Sequence, residues 1–290
     1  MKSPASVTRR TLLQAVALGA ARAGSAAAVE EEWAVKPDGP DFGGLRVGLT
    51  TFSTRELTLD QTIALLKQTG VRNIALKYFH LPLDSTKEER RLIIRMIHDA
   101  GLTLAGCGVI GLSGDERSVR DRLDYVQDIG SPSVTVTTTA ERLEQLDSII
   151  KDYANIKIAI HTHGPEDDLS YWRWSAAKII DKIRHLDSRI GVCVDVGHTF
   201  RVPIDPVAAI HACGDRLYDV HLKDLKEANR RRLDVPVGRG VVDIPSIMRA
   251  LRDVNYHHHV ALEYEAEPQA PEFGIAESFG YLRGLLYPRA

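Results

Sequence analysis

A single α/β domain folded as a (β/α)8 TIM barrel over residues 45–290 is what this sequence predicts. Three observations predict it. Short apolar, β-branched runs alternate with amphipathic stretches of helical period from residue 45 onward. Eight such strand–helix units fit into roughly 250 residues, the usual length of that barrel. The last four runs each end in a side chain able to bind a metal, at the strand end where such barrels build their sites.

The elements follow in order. Leu45–Thr50 reads as the first strand. Thr58–Thr69 reads as a helix with Leu59, Ile63, Leu65 and Leu66 as its apolar positions. Asn73–Lys77 is the second strand. Thr86–Ala100 is a helix with Glu88 and Glu89 in its first turn and Gly101 past its end, as helix electrostatics and capping favour. Leu102–Cys107 is the third strand, Glu116–Ile129 the third helix, Ser133–Val136 the fourth strand and Ala140–Tyr153 the fourth helix. The four remaining strands are the runs ending in His161-Thr-His163, Asp195-Val-Gly-His198, His221-Leu-Lys-Asp224 and Glu263-Tyr-Glu265. Helices near Tyr171–Leu186, Pro206–Cys213 and Ile244–Val254 separate them, and Pro271–Leu286 closes the chain. An open doubly wound sheet is the competing fold. It would place a ligand at one switch point rather than draw ligands from four consecutive strands, and no Gly-rich phosphate fingerprint supports it.

The chain has 290 residues, 44% hydrophobic and 26% charged, which suits one large domain. A net charge of −2 argues against a global field attracting nucleic acid or anionic membrane. Arg230-Arg231-Arg232 reads as a solvated loop, and His257-His258-His259 as another at the rim opposite the site. Cys107, Cys193 and Cys213 show no CxxC spacing and read as small buried hydrophobes. Residues 1–28 carry Arg9-Arg10, an apolar stretch from Ala15 to Ala21 and small residues through Ala28, the order of a twin-arginine export signal. Residues 29–44 form a polar, turn-rich lead-in. The expected location is therefore periplasmic, with no membrane span once the signal is removed. The sequence leaves a homo-oligomer open.

His161, Asp195, His221 and Glu263 are the expected metal ligands. A mixed imidazole and carboxylate set suits a divalent Mn, Co, Zn or Fe ion better than Ca, with Mn placed first. An ion held from one side leaves room for a hydroxy-carbonyl compound, whose enediolate it would stabilise. Each residue alone has a plainer reading as a hydrogen-bonded strand end. Four in register, two of them buried carboxylates, are costly without a partner.

Val194-Asp195-Val196-Gly197-His198, Asp219-Val220-His221-Leu222-Lys223-Asp224, Val237-Gly238-Arg239-Gly240-Val241-Val242-Asp243-Ile244 and Ala261-Leu262-Glu263-Tyr264-Glu265 together resemble the sugar phosphate isomerase/epimerase family of xylose isomerase-like barrels. The resemblance implies a small carbohydrate as substrate. It also implies metal ligation by Asp195, His221 and Glu263, and contact of His198 with substrate oxygens. This chain departs from the family at His161, where many epimerases carry a Glu that pairs with the final Glu as acid and base on the two faces of the substrate. Only Glu263 remains of that pair.

Other groups can supply the missing base. His163 lies two residues past His161, on the same side of the strand, and an imidazole titrates near neutrality. Lys77 ends the second strand and His80 follows it. With Lys223 they are cationic or polar candidates for holding substrate oxygens. For Lys77 the alternative is a charge facing solvent. Trp172 could stack on a sugar face, although with Trp174 it also fits a packed helix side. Glu265 and Asp224 read as groups orienting His or Lys neighbours.

Isomerisation or epimerisation through proton abstraction next to a carbonyl is the first functional expectation. β-Elimination on a 3-keto-glycoside by a lyase is the second, favoured by export and by the missing Glu. A non-catalytic sugar-binding module follows. A DNA-cleaving barrel enzyme would need extra ligands on the earlier strands and a basic groove, and neither is evident.

Overall fold

The computed structural model describes residues 42–164, 173, 175–228 and 233–287. The expected export signal, most of the expected lead-in, Trp172, Trp174 and Arg230–Arg232 lie outside the described residues.

Eight parallel strands close into a barrel. They are β1 (Arg46–Thr50), β2 (Asn73–Leu76), β3 (Thr103–Gly111), β4 (Ser133–Thr137), β5 (Lys157–His161), β6 (Ile190–Asp195), β7 (Leu217–Leu222) and β10 (His259–Leu262). The order around the barrel is β1-β10-β7-β6-β5-β4-β3-β2, with β10 pairing β1 to complete the circle. A small antiparallel hairpin, β8 (Asp224–Leu225) with β9 (Asp234–Val235), follows β7. No helix among the described residues is long and apolar enough to cross a membrane.

The helices start where the sequence supplies acceptors for their free first amides. Thr58 caps α1 (Leu59–Thr69) and Thr86 caps α2 (Lys87–Asp99), and each cap residue's own amide donates back to the Gln61 or Glu89 side chain. Asp115, Ser175, Asp205 and Asp243 cap α3 (Glu116–Asp128), α5 (Ala176–Ile183), α7 (Pro206–Cys213) and α8 (Ile244–Asp253). Their apolar stripes pack on the barrel's outer face. Ile93, Leu123, Leu146, Ile179, Ile210, Leu251 and Phe279 belong to one core cluster with the strand residues, Phe279 coming from α9 (Glu272–Leu286).

The expected fourth helix divides into a 3-10 turn, Ala140–Arg142, and α4 (Leu143–Ile150). β3 runs four residues past its expected end. The stretch expected as helix 171–186 is α-helical only over Ala176–Ile183, within the described residues. One helix was not expected from the sequence, α6 (Val196–Arg201), directly after β6.

Candidate metal centre

Period-two alternation fixes which strand residues face the barrel axis. It aims the ends of β5, β6, β7 and β10 at one point. His161 Nε2 lies 3.1 Å from His221 Nδ1 and 3.4 Å from Asp195 Oδ2. His221 Nδ1 lies 3.0 Å from Glu263 Oε2 and 3.7 Å from Asp195 Oδ2. All four residues are buried, and their ligand atoms lie within 4.8 Å of one another. A tetrahedral ion with bonds of 2.0–2.1 Å needs ligand atoms about 3.3 Å apart. The measured spacings bracket that value.

The donor chemistry also fits an ion. Asp195 Oδ2 is fully buried and accepts no well-formed hydrogen bond, its nearest cation being the Lys223 ammonium at 3.3 Å, so it has capacity left for a metal ion. Burial lowers His161 to about 3, so its ring is neutral and has a lone pair to offer. Burial alone would raise both carboxyls. Lys223, with His198, His161 and His221, outweighs it and holds Asp195 well below the ordinary range. Lys223, Lys77 and His221 do the same for Glu263.

Two lysines complete the charge arrangement. Lys223 Nζ lies 3.3 Å from Asp195 Oδ2 and 3.1 Å from Glu263 Oε2, and it also pairs with Glu265. Its approach depends on Gly197, where a Cβ would sit 2.9 Å from Lys223 Cδ. Burial works to lower its pKa, but Asp195, Glu263 and Glu265 raise it well above the lysine norm. Lys77 is buried, with Nζ 3.4 Å from Glu263 Oε1. It does not face solvent.

The remaining expected site residues divide. His163 joins the cluster, its ring centroid 3.6 Å from that of His198 and 5.7 Å from that of His161. His198 sits in the first turn of α6, its amide donating to Asp195 Oδ1 at 2.7 Å. Burial holds its pKa well below the histidine norm. Its Nδ1 meets the Gly164 carbonyl at 3.2 Å and Arg201 Nη2 at 2.5 Å. His80 is buried with Nε2 3.0 Å from the Leu57 carbonyl, and burial lowers it to about 4. No described contact joins it to the four ligands.

Two expectations are corrected. Asp224 orients no His or Lys. It accepts from the amides of Leu225, Gly238, Gly240 and Val242 and so closes the loop after the hairpin. A Cβ at Gly240 would lie 2.1 Å from Asp224 Oδ1, which explains the glycine. His259 is not in a solvated loop. It is buried at the start of β10, facing inward, because strand pairing and interior packing override the polarity of a triple-His run. His257 remains exposed.

Asp219 is a positioning residue whose type alone carries no signal. Its spacing from His221 would have found it, since i and i+2 share a strand face. It accepts from Thr135 Oγ1 at 2.6 Å and lies 3.5 Å from His221 Nε2. A carboxylate on the far nitrogen leaves the near nitrogen to the ion. Asp219→Asn is expected to weaken metal binding by about 10–100-fold, measured by competition with a chelator.

Burial works to lower the His221 pKa, but Cys193, Glu263, Asp195 and Asp219 around the ring raise it well above the histidine norm. Its stabilising charge is therefore complete below roughly 6.5, the unfolded value, and is lost as pH rises through the folded one. The depressed carboxyls act oppositely. Their contribution is present above roughly 4 and is lost on acidification toward their folded values. Metal binding needs the His221 proton gone and strengthens with pH. His80, His161 and His198, held below the histidine norm by burial, act against His221 and favour the fold as pH rises toward roughly 6.5. The gap in melting temperature between loaded and stripped protein should widen from about pH 6 to about pH 8.5, and thermal scans with and without chelator measure it.

The sequence model of the xylose isomerase-like TIM barrel matches residues 25–285. No curated protein matches the chain. Among solved structures, the 3-keto-D-glucoside 4-epimerase of E. coli superposes with a TM-score of 0.67 at 16% identity, covering 83% of this chain and 99% of that one. The probable 3-DHS dehydratase of petrobactin synthesis from Bacillus anthracis gives 0.66 at 15% identity, covering 81% and 97%. A D-tagatose 3-epimerase-like protein gives 0.63 at 11% identity, covering 82% and 98%. At these identities the structures share the fold.

Proposed function

The chain belongs to the xylose isomerase-like TIM barrel family, and from that premise we propose that it is a metal-dependent sugar isomerase or epimerase. It removes a proton next to the carbonyl of a free sugar or keto-sugar. The observation that carries this reading is the convergence of His161, Asp195, His221 and Glu263 at the strand ends with spacings that suit one ion. The four residues would hold the ion, which when bound polarises the carbonyl and stabilises the enediolate.

The chain's own groups handle the protons. Glu263, just past β10, and His163, just past β5, stand three strands apart around the barrel. A substrate between them meets a carboxylate on one side and an imidazole on the other, which is the requirement for taking a proton from one face and returning one to the other. Lys77 holds the Glu263 carboxylate through its ammonium, 3.4 Å from Oε1. His198 donates to substrate oxygens from the α6 rim. Export by a twin-arginine signal fits a free sugar better than a phosphorylated one, and Mn is the ion placed first.

β-Elimination by a lyase on the same scaffold is the second reading. One observation favours it: burial pushes the Asp234 carboxyl up to about 7, on the hairpin beside Lys223 and Glu265. An acid half-protonated at neutral pH suits a departing group. An E. coli epimerase and a probable B. anthracis dehydratase share this fold, so both outcomes have a precedent on it.

Incubation with Mn²⁺ and a panel of free ketoses and 3-keto-glycosides in deuterated water tests the proposal. Solvent deuterium should enter the substrate next to its carbonyl, and aglycone release separates elimination from isomerisation. Absence of both across the panel would remove proton abstraction. His163→Ala should keep its metal and lose exchange by about 10²–10⁴-fold.

A further inference from the structure

We propose that the barrel holds a second, deeper metal-binding mode, in which a thiophilic divalent ion such as Zn²⁺ or Cd²⁺ is held by His161, Cys193 and His221. The inference rests on the metal centre described above. The ligand atoms of these three buried residues lie within 4.8 Å of one another. Cys193 stands two residues before Asp195 on β6, on the same inward face and one layer further from the barrel mouth. Its Cα pairs with His161 on β5 and with Asp219 on β7, and the His221 ring two residues further along β7 reaches the thiol. Ala159 and Tyr218 pack around the same side chain, leaving the sulfur fully buried.

The two modes divide metals by softness. Two imidazoles with Asp195 and Glu263 suit Mn²⁺, whereas two imidazoles with a thiolate suit Zn²⁺ and its heavier congeners. Both modes use His161 and His221, so one ion excludes the other. On binding in the deep mode the thiol gives its proton to solvent and a sulfur–metal bond forms, with nothing oxidised or reduced. The soft ion then sits on the Cys193 side of the imidazoles, away from Glu263. Zn²⁺ should therefore inhibit the Mn²⁺-loaded enzyme by exchange.

Titration of the metal-stripped full chain with Cd²⁺ tests this. One equivalent should bind with a thiolate-to-cadmium charge-transfer absorption in the ultraviolet. The absorption should vanish in Cys193→Ala, which should lose about tenfold or more in Zn²⁺ affinity with Mn²⁺ affinity unchanged. Because the chain has three cysteines, the double variant Cys107→Ala, Cys213→Ala isolates Cys193. The absorption must persist there, which keeps the test decisive even if Cys193→Ala does not fold. One equivalent of Cd²⁺ bound without that absorption, or an absorption surviving in Cys193→Ala, overturns the deep mode alone. Failure of every ion to bind overturns the metal centre as well.

Discussion

Replacing Asp195 or Glu263 with alanine is expected to strip the bound ion and lower kcat/KM by at least about 10²–10³-fold, the range seen when a group stabilising developing negative charge is lost. Each carboxylate supplies one of the two anionic oxygens facing the imidazoles. Without either, the remaining donors leave a divalent ion only one negative charge. The stability effects of the two variants should differ. Asp195→Ala also uncaps α6 by removing the acceptor for the His198 amide, at about 0.5–2 kcal/mol. Glu263→Ala leaves Lys77 and Lys223 short of a shared counter-charge. Elemental analysis after dialysis and thermal scans of both variants read these outcomes. Stoichiometric metal in both would refute the ligand set.

Lys223→Met is expected to destabilise the metal-free protein by about 3–5 kcal/mol, the scale for breaking a buried charge pair by removing one partner. Lys223 is 3% exposed and reaches Asp195, Glu263 and Glu265 together. Removing its ammonium leaves two fully enclosed carboxylates facing each other with reduced compensation. Saturating Mn²⁺ should shrink the loss, because an ion placed between Asp195 and Glu263 takes over much of that role. Urea unfolding with chelator and with excess Mn²⁺ measures the difference. Equal losses in the two conditions would show that Lys223 and the ion do not share those carboxylates.

The parts legible in the sequence are those set by local patterning. Pro206–Cys213 is a helix with the expected ends because Asp205 caps it and Pro206 starts it. The four convergent side chains could be read because a strand-end position and a period of two determine where they point. What stayed hidden depends on longer-range geometry. α6 is six residues long and contains Gly197, too short and too glycine-broken to show a helical period. The hairpin strands are two residues each and are fixed by Asp224 rather than by any apolar run. The burial of His259 comes from its pairing with β7 and β1, which its polar neighbours in sequence cannot reveal. Asp219 lay within reach of the period-two rule, two residues before His221, but its contact to the far nitrogen of that ring shows only in the fold.

Asp195 uses its two oxygens for separate tasks, one anchoring the start of a helix and the other facing the imidazoles. The anchoring bond is made by the chain's own backbone amide. It fixes the carboxylate plane independently of what the second oxygen meets, so swapping one metal for another should leave the backbone rim where it was. Crystals grown from chelated protein should accept soaked ions without cracking, and their maps should differ from the parent only by the added peak.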